Sequence, residues 1–314
     1  MNGYVGRLAP SPTGALHLGN VRTFMVAWLR ARQAGGRVIM RMEDLDHQKD
    51  KPGAAAAAIE DLRWLGFDWD EEYVQSERKA IYREVLECLR AKGLVYPCVC
   101  SRRDVEAAQS APHEGEQLHY SGTCRGRFAS WQEACAFKGA NPCWRFVVPE
   151  GTKVSFSDAF AGPYEQDVSQ TLGDFPLARD EFGAGYTLAS TVDDILMGVT
   201  EVVRGDDLLA ATPAQILLAR AYLGSLARDA GSQAQSVPSY LHVPLVVGRD
   251  GKRLAKRHGD TRVATYRTEG RDPEEILGFL AYSCGWAERG EAVSLAGLIS
   301  RFDLATIPHA PFMI

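Results

Sequence analysis

Residues 4 to 20 constrain this chain more than any other stretch. Tyr4 to Leu8 is a short apolar run able to form a strand, and a Pro/Ser/Thr/Gly turn follows it. Asn20 can cap a helix whose apolar positions include Val21, Phe24, Met25, Trp28 and Leu29. Strand, glycine-containing turn and helix is the layout that presents free backbone N–H groups and a positive helix end to a bound phosphate. Neither G-x-G-x-x-G nor G-x-x-x-x-G-K-[ST] occurs here, so the two common nucleotide fingerprints are excluded. In their place stand His17, which can donate to a phosphate oxygen, and Gly19, which lets a base or ribose approach the backbone.

The rest of the chain bounds the setting. Its 314 residues suffice for a large core in two lobes, or for one domain with an insertion. A net charge of -5 gives no global attraction to nucleic acid, so any RNA contact needs a local basic patch. The start has no basic or apolar leader pattern, and no run approaches the length of a membrane span, so a cytoplasmic protein is expected. Seven cysteines point to metal or free thiols rather than a disulfide framework.

The run Pro10-Ser11-Pro12-Thr13-Gly14-Ala15-Leu16-His17-Leu18-Gly19-Asn20 resembles the first signature of class I aminoacyl-tRNA synthetases, the HIGH motif, in its glutamyl form. Further segments agree. Arg37 to Met42 reads as a strand buried on both faces and ends in Glu43-Asp44-Leu45-Asp46, where open α/β sheets place their ligands. Tyr186 to Asp194 is similar to Y-x-x-A-x-x-V-D-D, and Thr200 to Leu209 to T-x-V-x-R-G-x-D-L-L. Arg253-Leu254-Ala255-Lys256-Arg257 resembles the second signature, KMSKS, with Arg253 for its first lysine and Ala255 for its serine. The resemblance implies that Arg7, Leu8, Ala9, Pro10, Ser11, Glu43, Tyr186 and Arg204 hold L-glutamate, Glu43 taking the α-amino group. It makes His17, Gly19, Asn20 and Lys256 the ATP contacts, with His17 and Lys256 stabilising charge on the phosphates, and Mg2+ accompanies the ATP. Arg204 suits the reading of a carboxylate because a guanidinium binds one bidentately; the alternative for it is an ion pair with Asp206 or Asp207. Ser190 stands where tRNA-charging enzymes often have Asn.

Cys98 and Cys100, spaced C-x-C, point to one side of an extended segment, and Cys124 follows. Three thiolates leave a fourth zinc position for Tyr120, His119, His113 or water, and spacing alone favours a histidine. The resemblance favours Tyr120, because members of the glutamyl family carry C-x-C…Y-x3-C with the tyrosine as ligand. Cys135 and Cys143 are nearby competitors. Arg102, Arg103, Arg125 and Arg127 flank this module and could grip an RNA backbone, and residues 109–116 read as a mobile loop.

The expected architecture is therefore α/β. A Rossmann-type class I catalytic domain has its first half at 1–96 and its second half, with the KMSKS-like loop, at 186–260. Between them, 97–185 reads as an inserted, zinc-containing, acceptor-binding-like subdomain, and 261–314 as a short helical C-terminal region. The residues after the second signature are too few for an anticodon-reading domain of ordinary size. Together with the tyrosine-ended zinc pattern, this implies an enzyme that activates glutamate with ATP and attaches it to the queuosine base of tRNA(Asp). A truncated glutamyl-tRNA synthetase and a non-catalytic RNA-binding paralogue are the competing expectations.

Overall fold

The computed structural model describes residues 3–46, 51–108, 118–138, 142–181, 183–226, 236–252, 254 and 260–314. The first lobe runs β1 (Val5–Leu8), α1 (Leu18–Gln33), β2 (Arg37–Met42), α2 (Ala54–Trp64), β3 (Glu71–Val74) and α3 (Lys79–Ala91). Next come β4 (Val95–Cys98), α4 (Arg102–Ala108), α5 (Trp131–Lys138), β5 (Cys143–Phe146), β6 (Lys153–Asp158), β7 (Gly162–Asp167), α6 (Val168–Thr171) and β8 (Pro176–Ala178). The remainder is α7 (Tyr186–Leu196), β9 (Glu201–Gly205), α8 (Thr212–Leu226), β10 (Ser239–Val243), β11 (Val246–Val247), α9 (Val263–Thr268), α10 (Pro273–Tyr282) and β12 (Phe312–Met313). Among the described residues no helix is long and apolar enough to cross a membrane.

β1, β2 and β3 are parallel, with Arg7 opposite Ile39 and Met40 opposite Glu72. β9, β10 and β6 are also parallel, and β7 closes that edge as an antiparallel hairpin with β6. The two groups meet where β1 lies beside β9: Thr200 N–H donates to Val5 O at 2.9 Å, and Arg7 Nη1 to Val203 O at 2.7 Å. β1 and β9 are the strands at which the winding reverses, so a crevice opens at their carboxyl ends. The expected two-sided burial of β2 is present. Val38, Met40 and Met42 pack with α1 and α2 on one face, and Ile39 packs with α3, α7 and α8 on the other.

Several expected elements differ. Asn20 is not the helix cap: His17 is, and Asn20, three residues on, closes a capping box with it. β3 goes unrecognised in the sequence because Glu71 and Glu72 break the apolar pattern, and the ladder to β2 supplies what propensity does not. β7 begins Gly162-Pro163, a poor strand sequence tolerated at an edge. Pro244 splits the run expected at 241–247 into β10 and β11. The helix expected at 294–302 is a single 3-10 turn, Ala296–Leu298, with Gly297 at its centre. Within 97–185, β4, β5 and β8 form a small antiparallel sheet, whereas β6 and β7 join the sheet of β9 and β10. The loop expected at 109–116 lies outside the described residues.

Candidate active site and metal centre

The crevice between β1 and β9 is a cavity of about 550 Å³. Arg7, Glu43, Tyr186 and Arg204 line one part of it, and Ser11, His17, Gly19 and Asn20 another. Ala9 and Pro10 also border it. Leu8 does not; its side chain is fully buried in the core beneath α1. Ser190 is buried away from the cavity lining and accepts a hydrogen bond from Gln215 Nε2 at 2.8 Å.

Among the described residues Arg204, 6% exposed, is anchored without a carboxylate. Its Nε donates to His242 Nε2 at 3.0 Å, its Nη2 to Thr212 Oγ1 at 2.7 Å, and its Nη1 to Tyr186 Oη at 3.3 Å. Tyr186 opens α7, so the positive end of that helix faces the same side. A guanidinium held by neutral groups keeps its charge available to a ligand, which the alternative of an ion pair with Asp206 or Asp207 would not.

Glu43 belongs to a buried ionic network. Arg41, fully buried, donates to Glu43 Oε1 at 3.0 Å and to Asp194 Oδ1 at 2.6 Å. Arg7 Nε lies 3.5 Å from Asp194 Oδ1, and Arg78 holds Asp193 at 2.8 Å. Burial raises the Glu43 carboxyl above its ordinary range, with Arg41 and Arg7 opposing. Sequence reading passed over Arg41, Asp193 and Asp194 as site-builders. Their signal was charge inside otherwise apolar segments.

His17 and Gly19 act together. Asn20 N–H donates to His17 Nδ1 at 3.3 Å, which puts the neutral ring's proton on Nε2. A Cβ on Gly19 would stand 3.1 Å from the ring's Cε1 and Nδ1, so Gly19 makes room for the imidazole itself. Gly19→Ala is therefore expected to slow adenylate formation about 10- to 100-fold by displacing the ring. The thermal midpoint should hold, because alanine suits a helix; an unchanged rate would show that the ring tolerates the methyl group.

Arg253, Ala255, Lys256 and Arg257 lie outside the described residues. The flanks are described. Leu254 lines the cavity, Thr261 O accepts from Leu18 N–H at 3.1 Å, and Leu16 O accepts from Val263 N–H at 2.9 Å. The chain on both sides of 255–259 thus meets the cavity and turn that contain His17.

The sulfurs of Cys98, Cys100 and Cys124 lie within 4.8 Å of one another, Cys100 and Cys124 at 3.6 Å. Tetrahedral zinc with Zn–S of ~2.3 Å needs sulfurs ~3.8 Å apart, so the donor set fits. Tyr120 Oη is 3.2 Å from Cys98 Sγ and 3.8 Å from Cys100 Sγ. His119 is turned away, its Nε2 3.1 Å from Ser169 O, which disfavours the histidine that spacing suggested; His113 lies outside the described residues. Cys143 faces Cys98 across the β4–β5 ladder, outside the three-sulfur cluster, and Cys135 packs against the core under α3 and α8. Hydrogen bonding from Cys143, against burial and aided by Tyr120 and Arg145, holds the Cys98 thiol below its usual range. Metal ligation requires that deprotonated form. Of the flanking arginines, Arg125 is committed to buried Asp174, Arg102 to Glu106, and Arg127 lies over the Phe137 ring.

The profile of the family described as tRNA synthetases class I (E and Q), catalytic domain, matches residues 5–313. The chain belongs to this family. As a class I synthetase it is similar to the glutamyl-Q tRNA(Asp) synthetase of Symbiobacterium thermophilum, at 47% identity over 98% of this chain and 95% of that protein. Its identity to the glutamyl-Q tRNA(Asp) synthetase of Rhodopirellula baltica is 44%, over 100% of this chain and 97% of the other. A solved structure of a glutamate tRNA ligase from Elizabethkingia meningosepticum, in complex with its amino acid, superposes with a TM-score of 0.79 at 28% identity. That match covers 100% of this chain and 67% of that one.

Proposed function

We propose that this synthetase activates L-glutamate with ATP, without tRNA, and transfers it to the queuosine base of tRNA(Asp). The observation that carries the first half is the convergence of Arg7, Arg204 and Glu43 on the cavity that His17 also lines. Two guanidinium groups suit a carboxylate side chain, and a carboxylate in the same cavity suits an ammonium group. In the reaction the α-carboxylate of glutamate attacks the α-phosphorus of ATP, and pyrophosphate leaves as the mixed anhydride forms. His17, through Nε2–H, and Lys256 stabilise the phosphate charge, aided by the magnesium carried with ATP. A hydroxyl of the modified base then attacks the anhydride and AMP leaves. The choice of acceptor is supported by near full-length similarity to the two proteins that carry the glutamyl-Q name.

The test has two parts. Glutamate-dependent ATP–pyrophosphate exchange is expected in the absence of RNA. Labelled glutamate is then expected on queuosine-containing tRNA(Asp) and not on the 3′ end of tRNA(Glu). Labelling of the tRNA(Glu) 3′ adenosine would favour the truncated-ligase reading, and no exchange with any RNA present would favour the non-catalytic one.

The metal centre is proposed to hold a single structural zinc on Cys98, Cys100, Cys124 and Tyr120. Metal analysis of purified protein should find zinc, and its removal by a chelator should lower the thermal midpoint, because ligand binding energy is part of folding energy. A metal-free chain of undiminished stability would remove zinc from the account.

A further inference from the structure

Arg204 is held from behind by two buried residues whose places are set by strand register. Arg204 on β9 and His242 on β10 are direct partners in a parallel ladder, and Tyr240, two residues before His242, is in register with Asp158 at the end of β6. Arg204 and His242 therefore leave the sheet on one face. Asp158 Oδ1 accepts the backbone amides of Phe160, Ala161 and His242 at 3.0, 2.8 and 3.2 Å. Its Oδ2 lies 2.6 Å from His242 Nδ1, and neither side chain is exposed.

A carboxylate only accepts, so His242 carries its proton on Nδ1 and turns the lone pair of Nε2 toward Arg204 Nε, 3.0 Å away. Burial keeps this imidazole neutral, with Asp158 opposing and the charge of Arg204 assisting. His242 and Thr212 occupy the Nε–Nη2 edge of the guanidinium, so Nη1, beside Tyr186, is the part turned to the cavity.

We infer that Asp158 and His242 are positioning residues: they fix the tautomer and rotation that aim Arg204 at the side-chain carboxylate of the amino-acid substrate. This rests on the glutamate reading given above. It adds a requirement that neither signature motif contains, supplied by residues 46 positions before and 38 positions after Arg204.

The experiment compares Asp158→Asn, His242→Phe and His242→Gln in glutamate-dependent ATP–pyrophosphate exchange, with thermal midpoints measured alongside. In Asp158→Asn the oxygen that accepts the amides can stay while an NH2 group meets His242 Nδ1. That drives the imidazole proton to Nε2, donor against donor with Arg204. Asp158→Asn and His242→Phe are expected to raise KM for glutamate about 10- to 100-fold, with KM for ATP unchanged and glutamine gaining relative to glutamate. His242→Gln, which can offer an oxygen to Arg204 Nε, is expected to recover most of the loss. A purely structural role would lower the thermal midpoint and the amount of active enzyme without shifting KM for one substrate. Equal behaviour of His242→Gln and His242→Phe, or unshifted KM for glutamate in folded variants, overturns the inference even if Asp158→Asn fails to fold. Absence of exchange in the unaltered chain instead overturns the glutamate reading itself.

Discussion

Arg204→Ala is expected to lower kcat/KM for glutamate by about 10²- to 10³-fold while leaving the chain folded, since truncating one partner of a buried charge pair costs about 2–5 kcal/mol. The effect is large because the cavity's other proposed substrate-facing cation, Arg7, is already drawn upon by Val203 O and Asp194. The fold should persist because the described groups that lose Arg204 are a histidine, a threonine, a tyrosine and the Leu208 carbonyl, none of which leaves an uncompensated charge. Each lost neutral hydrogen bond costs about 1 kcal/mol, and the open cavity admits water in its place. Discrimination should fall as well: glutamine, with no side-chain charge, loses less than glutamate does. Pyrophosphate exchange with both amino acids measures this, and an unchanged glutamate-to-glutamine ratio would take Arg204 out of substrate selection.

Arg41→Met should be the most destabilising single change outside the hydrophobic core. Arg7, Arg41 and Arg78 balance Glu43, Asp193 and Asp194 beneath the sheet. Methionine fills similar space but leaves one carboxylate unmatched, and breaking a buried pair in this way costs about 3–5 kcal/mol. Urea denaturation reads the loss directly. It carries a pH signature whose sign is fixed. The Glu43 carboxyl is already raised by burial, and losing Arg41 raises it further. A carboxyl with a folded pKa above its unfolded value binds more protons in the folded state, so stability falls as pH rises through that window. The deficit of Arg41→Met should therefore be smaller at about pH 5 than at about pH 8. A pH-independent deficit would show that packing, not charge, is what Arg41 supplies.

The legibility of this protein varies along the chain for definable reasons. The turn from Leu8 to Leu18 was readable because its geometry is local, prolines and a glycine lying within a dozen residues, although the cap fell on His17 and not on Asn20. β2 was readable because a strand covered on both faces must be apolar almost throughout, and its one buried charge, Arg41, was for that reason easy to pass over. β3 was unreadable because two glutamates sit in a strand whose stability comes from its neighbour. The three-cysteine cluster was half legible. C-x-C aligns two sulfurs by local geometry, but whether His119 or Tyr120 approaches them depends on what else each side chain can reach, and His119 is engaged by Ser169 O in the segment just after β7.

Local order thus determined the β1–turn–α1 unit, the buried central strand and the residue types able to bind phosphate, carboxylate and metal. Contacts between distant elements decided the rest: strand register brings Arg204 to His242 and Asp158, the packing of α7 on the sheet brings Asp194 to Arg41, and backbone hydrogen bonds return the residues flanking 255–259 to the His17 turn. The physical reason is range. Periodicity and capping act over a few residues of chain, whereas a buried ion or a histidine tautomer is fixed by whichever group lies within about 3 Å, however far away it is in sequence.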